Sequence, residues 1–408
     1  MTHELLVLGA GYAGLAAAGR AARDARALDL RVTLVDVDPR FVERVRLHQI
    51  ATGQDVGVHP LGEALDGTGI DLVAGRVEGI DAATRTVTVR ADDGPRPLRY
   101  DTLIHALGST AAPSPVPGVA EHAFDVATLE GARRLAERVR EEPPRTLIVV
   151  GGGHTGVETA AEFAESRPDL RVTLLSRGQI GPAVGRRGRA HLRRALRRLG
   201  VIVREHATVT EVASEGVRLA DGTRIDGDPV VWSAGLGVRG PLVPSGMALD
   251  DQGRALVDLR HRSLSHPEIL VVGDAAHTPG ADGTGLRMSC AMALPTGWSA
   301  ADTVTADLHG REAKGTAFGY LFQCVSLGRR DGLIQFVRAD DTPTGFVLTG
   351  RPAALYKEYI VASAANGALG RRAKDADLYL SLVRRAARRF TVRSRGMGAV
   401  QDGAPARG

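Results

Sequence analysis

The residues with the most chemical content in this chain are glycines. Gly9, Gly11 and Gly14 stand in GAGYAG, and Gly151, Gly153 and Gly156 stand in GGGHTG. Each set follows an apolar run and precedes an Ala-rich stretch of helical character. A GxGxxG turn between strand and helix lets the backbone approach a pyrophosphate, and the helix N-terminus offers it N–H groups and positive potential. One such motif is weak in a chain with 50 glycines. Two in the same strand–turn–helix–strand frame are strong, and the second strands of the two copies are near-identical: DLRVTLVD at 29–36 and DLRVTLLS at 169–176. The spacing predicts two dinucleotide sites.

Asp36 ends the second strand of the first copy, where an acid accepts the ribose hydroxyls of an adenosine. Gly273 and Asp274, in VVGDAAH, end a later apolar strand beside that site. Together with GAGYAG and HALGS they assign FAD to the first site. The second copy has Ser176 in place of the acid, followed by Arg177. A carboxylate there would repel a 2′-phosphate, whereas serine and arginine accept one, so NADPH is favoured over NADH. Arg186, Arg187 and Arg189 lie just downstream. Glu158, in the helix after the second turn, is placed to face flavin and nicotinamide. Val77, Gly108 and Gly235 complete the candidate cofactor-binding set. The histidines show no metal-ligand spacing.

These groups need a scaffold that repeats. DTLIHALG at 101–108 matches DPVVWSAG at 228–235, and each copy has a strand-rich stretch before it, at 71–94 and 201–226. The strand of EILVVGDAAH (268–277) has no counterpart in the second copy. The expectation is α/β: two Rossmann-like three-layer dinucleotide-binding domains, the second inserted in the first, plus a C-terminal α+β region. The division is 1–112 with 244–311 for FAD, 113–243 for NAD(P)H, 312–395 for the C-terminal domain and 396–408 for a disordered tail. A Pro-rich linker, AAPSPVPGVAEH, joins the first two at 111–122.

Bulk composition narrows the function. The 408 residues suffice for several domains, and 43% apolar content is ordinary for a globular protein. A net charge of +5 is modest and calls for no nucleic acid. Of the basic residues only Lys314, Lys357 and Lys374 are lysine. Cys290 and Cys324 form no CxxC pair and read as free thiols in a reducing cytoplasm. The first strand begins too early for a signal peptide, and no apolar run approaches the ~18–20 residues that span a bilayer.

With both glycine turns, Asp36, HALGS, VVWSAG and VVGDAAH, residues 4–310 resemble the pyridine nucleotide-disulfide oxidoreductase superfamily, and GGGHTGVETAAEF is most similar to its type II NADH dehydrogenase branch. The resemblance implies hydride transfer from NAD(P)H to FAD and then reduction of a small-molecule electron acceptor, by default a quinone. It also implies that 41–53 passes the flavin ring, which makes His48 and Gln49 candidate catalytic residues on the acceptor side. That side is expected to be walled by 44–53, 289–300, 320–335 and 356–360. The superfamily's CxxxxC is absent, which excludes dithiol chemistry. Two stretches depart from the branch. SCAMALPTGWSAADTV (289–304) has Ala291 and Pro295-Thr296 where the branch carries glutamines, and strongly apolar C-terminal helices are missing. In their place DLYLSLVRRAARRF (377–390) suits either contact with an anionic membrane surface or docking as a surface helix. A homodimer stays open. So do two other roles: a pathway-specific flavin oxidase or dehydrogenase acting on a specialised metabolite, and a flavoprotein that chiefly binds a partner.

Overall fold

Apolar runs without alternation are what parallel strands covered on both faces require, and both copies of the repeat become such sheets. The computed structural model describes residues 2–25, 27–238, 244, 246–370 and 376–389. The first copy contributes β1 (His3–Leu8), α1 (Tyr12–Asp24), β2 (Leu30–Asp36), α2 (Leu47–Ile50), β3 (Ile70–Ala74) and β4 (Thr102–His105). The second begins with β5 (Ala123–Phe124), α3 (Leu129–Glu141), β6 (Thr146–Val150), α4 (His154–Ser166) and β7 (Arg171–Leu175). It ends with α5 (Arg186–Arg198), β8 (Ile202–Arg204) and β9 (Val230–Trp232). The chain returns through β10 (Ile269–Val271) and α6 (Cys290–Leu308). Next are β11 (Phe322–Ser326), β12 (Gly332–Val337), β13 (Pro343–Thr349) and α7 (Arg351–Ala368). Residues 376–389 are helical.

The first sheet has the order β10-β4-β1-β2-β3 and the second β5-β9-β6-β7-β8, with all pairings parallel. These are two Rossmann-like sheets of one design, and every strand of the second lies between β4 and β10 in sequence. One sequence expectation changes. The strand of 268–277 does have a counterpart in the second sheet. It is β5, which comes before its glycine turn rather than after, so linear comparison of the repeats misses it. The two strand-rich stretches also divide differently. Their first strands, β3 and β8, join the parallel sheets, and only the strands after them form three-stranded antiparallel meanders.

Directly after Gly108 and Gly235, Ser109–Ala111 pairs antiparallel with Leu236–Val238, which ties the two copies together. Helix α6 lies on α1 backbone to backbone: a Cβ at Gly297 would collide with the Ala13 carbonyl. Around them Leu5, Val32, Leu34, Trp298 and Phe318 share one core. Leu380 and Val383 of the 376–389 helix are buried in it, whereas Leu378 and Leu382 are exposed. That helix is therefore docked on one side. Residue 390 and the expected tail, 396–408, lie outside the described residues.

Candidate active site

The two glycine turns are built on the same logic. Gly9 (φ +97°) and Gly151 (φ +132°) adopt backbone angles that side chains rarely tolerate. At Gly14 a Cβ would meet the Gly9 carbonyl, and at Gly156 the Gly151 carbonyl. At Gly11 and Gly153 it would meet nothing within 4 Å. The middle glycine of each motif therefore faces open space, while the outer two hold the turn shut. Both α1 and α4 start at that middle glycine with no side-chain cap, leaving helix N-terminal N–H groups for an anion.

Around the first turn, Asp36 bonds the Ala10 N–H at 2.5 Å and the Asp38 N–H at 2.9 Å, which places its carboxylate at the edge of the glycine loop. Asp274 accepts from the Ser109 hydroxyl at 2.7 Å, and Arg44 reaches the same hydroxyl at 3.4 Å and the Ala127 carbonyl at 3.0 Å. The Gly273 N–H donates to Thr296 Oγ1 at 3.1 Å, which fixes the Gly-Asp turn to α6. A small pocket lies along this side, lined by Gly273, Asp274, Arg287, Met292 and Thr296. Val77 packs in the apolar cluster that holds Val35, Leu107 and Ala275, the chain neighbours of Asp36, Gly108 and Asp274.

Where the two halves meet, the structure gathers Glu158, His48 and Gln49 and adds residues from the C-terminal part. Glu158 Oε1 accepts the Ser326 N–H at 2.9 Å and pairs with Lys357 of α7. Burial alone would raise the Glu158 carboxyl; Lys357 and the Ser326 N–H outweigh it and hold it below its ordinary range. His48 is buried and its pKa is pushed down to about 3 by desolvation, so it stays neutral. Gln49, with its amide oxygen toward Arg329, accepts from that guanidinium at 2.7 Å. Cys290 is solvent-accessible, yet desolvation pushes its thiol up to about 12. Cys324 is half-exposed and also raised by burial. Both thiols are electrostatic neighbours of Lys357 and Arg287, which places α6, β11 and α7 around one space.

At the second turn Ser176 is buried, with Oγ packed where a Cβ on Gly152 would fall. Arg177 is exposed and makes no ion pair among the described residues. Arg187 donates to the Gly345 carbonyl at 3.1 Å.

The sequence marks Lys357 only as a lining group and does not show its pairing with Glu158. Nor does it show Arg329, Glu162, Thr296 or the Arg44–Ser109–Asp274 chain. One signal is present: a lysine kept in a chain whose cations are almost all arginine.

Two parallel sheets, each with a glycine turn, and a buried carboxylate–ammonium pair on the helix after the second turn define a two-dinucleotide oxidoreductase. Residues 3–297 match the family described as pyridine nucleotide-disulphide oxidoreductase, and the chain belongs to that family. An NADH dehydrogenase-like protein of Mycobacterium tuberculosis is 33% identical over 327 residues, which is 75% of this chain and 80% of the relative. A type II NADH:quinone oxidoreductase of Staphylococcus haemolyticus is 25% identical over 398 residues, covering 88% and 94%. Among solved structures, NDH2 of Plasmodium falciparum in complex with NADH has the same fold, with a TM-score of 0.77 at 12% identity over 97% of this chain and 98% of that one. This chain is thus an NAD(P)H-dependent flavin oxidoreductase of type II NADH dehydrogenase-like kind, with FAD and a pyridine nucleotide as cofactors. The residues present fit both: the open faces of Gly11 and Gly153 are cradles that a Cβ would fill.

Proposed function

We propose that this chain oxidises NAD(P)H and reduces a quinone-like small molecule, with 1–112 and 244–311 holding FAD and 113–243 holding the nicotinamide nucleotide. FAD, when bound, supplies the hydride-accepting and electron-donating chemistry. The protein binds, orients and manages protons. Gly9, Gly11, Gly14, Asp36, Gly108, Gly273 and Asp274 hold the flavin nucleotide; Gly151, Gly153, Gly156 and Gly235 hold the second. The observation that carries the reading is the buried Glu158–Lys357 pair beside neutral His48, at the start of the helix after the second glycine turn. There it would face the reacting ends of both nucleotides when they are bound, and an acceptor would enter past α7. A carboxylate held ionised by an ammonium can take up a proton and, once protonated, pass it on as the acceptor's oxygen charge develops. Anaerobic mixing of FAD-loaded protein with NADH and NADPH, then a screen of acceptors, tests this. Bleaching of the flavin by neither nucleotide sinks it.

Exposed Arg177 beside Ser176 supports NADPH as the preferred donor. Arg177→Ala should weaken NADPH about tenfold and NADH little, since only NADPH has the phosphate to lose. Equal losses make Arg177 a bystander. Leu378 and Leu382, with Arg385, Arg388 and Arg389 on the same helix, support a peripheral contact with anionic lipid; no helix among the described residues is long and apolar enough to cross a membrane. Sedimentation with anionic but not neutral vesicles checks it.

A second reading is favoured by α6. Pro295 denies Ala291 its helical hydrogen bond, and the Tyr379 hydroxyl takes that carbonyl at 3.3 Å. This end of α6 is closed by a phenol rather than lined by amides, as suits a specialised aromatic acceptor. The acceptor screen separates the two.

A further inference from the structure

Helix α4 carries Glu158, Glu162 and Glu165 at spacings of four and three residues, which a helix aligns in one stripe. Glu158 pairs with Lys357 at the inner end. Glu162, one turn on, is 1% exposed. Glu165 is half-buried near the outer end and accepts the Arg329 backbone N–H. Glu162 is held from both sides: Gln54 donates to Oε1 at 2.7 Å and Arg329 to Oε2 at 2.8 Å. His48, from α2, leans into the stripe. It is only 4% exposed, its Nε2 has no hydrogen-bond partner among the described residues, and that atom lies 3.9 Å from Glu162 Oε2. A buried, unpartnered imidazole nitrogen is costly, and a small rotation brings it onto the carboxyl. Glu158, Lys357, Arg329 and Arg46 are the other charged groups around His48; Glu358 pairs with Arg46 and lies 3.7 Å from Arg329 at the rim.

We propose that Glu165, Glu162 and His48 form a proton path from solvent to Glu158. It would serve the acceptor reaction and rests on the reading above. Reduction of a two-electron, two-proton acceptor A obeys NAD(P)H + H⁺ + A → NAD(P)⁺ + AH2, so one proton per turnover comes from water. Protonated Glu162 gives its proton to His48 Nε2 while Nδ1 releases one to Glu158. Glu162 is then reprotonated from solvent past Glu165. Only O–H and N–H bonds form and break. Burial holds the Glu162 carboxyl above its ordinary range, against the pull of Arg329 and Gln54, which eases proton loading. Neutral His48 can relay without storing charge.

The test uses FAD-loaded full-length protein and both half-reactions by stopped flow. In Glu162→Gln, reduction of the flavin by NADH should stay within about twofold of wild type. Its reoxidation by a water-soluble benzoquinone should slow at least about tenfold, as loss of general acid–base function does. Glu162→Asp should restore the rate to within about threefold. A carboxyl stretching band in the infrared difference spectrum of photoreduction should vanish in Glu162→Gln and persist in Glu162→Asp. Normal reoxidation, equal slowing of both halves, or an unchanged carboxyl band overturns the proposal. Should Glu162→Gln not fold, Arg329→Met removes the cation beside Glu162. The pH at which reoxidation fails should then move upward, and an unmoved profile overturns the path. If wild type is not reoxidised by any quinone, the acceptor reading fails, while the infrared comparison still decides the path.

Discussion

Lys357 and Glu158 are each about nine-tenths enclosed, so solvent screens neither charge. Removing one leaves an uncompensated buried charge, at a cost of about 3–5 kcal/mol. Lys357→Met should therefore lower stability by that order in denaturant unfolding, and the Glu158 carboxyl should rise above its ordinary range. A pH–rate profile of the oxidative half-reaction would show the shift. The cysteines make the opposite case. Desolvation keeps both thiols protonated, and a thiol is a poor nucleophile. Cys290→Ser and Cys324→Ser should each keep flavin reduction and turnover within a few fold. A long-wavelength charge-transfer band lost in Cys290→Ser would contradict this.

Helix α6 shows how an element tolerates a proline by borrowing a partner. The Ala291 carbonyl that Pro295 orphans is met by Tyr379 of the next helix but one. Tyr379→Phe should cost about 1 kcal/mol, the net value of one such bond, in urea unfolding. Pro295→Ala in the same background should return most of it, because the helix then supplies the N–H itself. The α1–α6 contact is less forgiving. Gly297→Val must push α6 off the Ala13 carbonyl, and that shift moves Thr296, which holds Gly273 in place. The expected result is faster loss of FAD on dilution, read by fluorescence, with a larger fall in stability than Tyr379→Phe.

Across the whole molecule, three histidines with buried ring nitrogens contribute to the response to acid. Burial pushes His48 down to about 3, and His154 and His261 to about 4. Among the described residues His261 has no hydrogen-bond partner on either ring nitrogen; it stacks on Phe318 at 5.8 Å and faces Asp258 and Arg384. In the unfolded chain all three titrate near 6.5. Above that value both states are neutral and their contribution to stability is intact. As pH falls from about 6.5 toward 4, the unfolded state takes up protons that the native state refuses, so stability is lost by about 1.4 kcal/mol per unit for each group. Unfolding free energies at pH 7 and pH 5 should differ accordingly. His261→Phe should remove one histidine's share of that slope without touching the Glu158–Lys357 pair. An unchanged slope would mean that His261 is already charged in the fold.

Both parallel sheets, both glycine turns and the two nucleotide cofactors were legible in the sequence, because each rests on short-range demands: an apolar run, a turn that only glycine permits, a helix start. The aligned repeat even showed the position where an acid is exchanged for Ser176. The place of β5 was hidden, since strand order in a sheet depends on which edge is left to pair, not on position along the chain. The core of the site was hidden for the same reason. Glu158 and Lys357 are separated by most of the second and third regions, and His48 comes from the first. Each is an ordinary polar residue in its own segment. Only the closure of α7 and β11 over α4 removes water from among them, and it is that removal which turns three separate side chains into a coupled charge site.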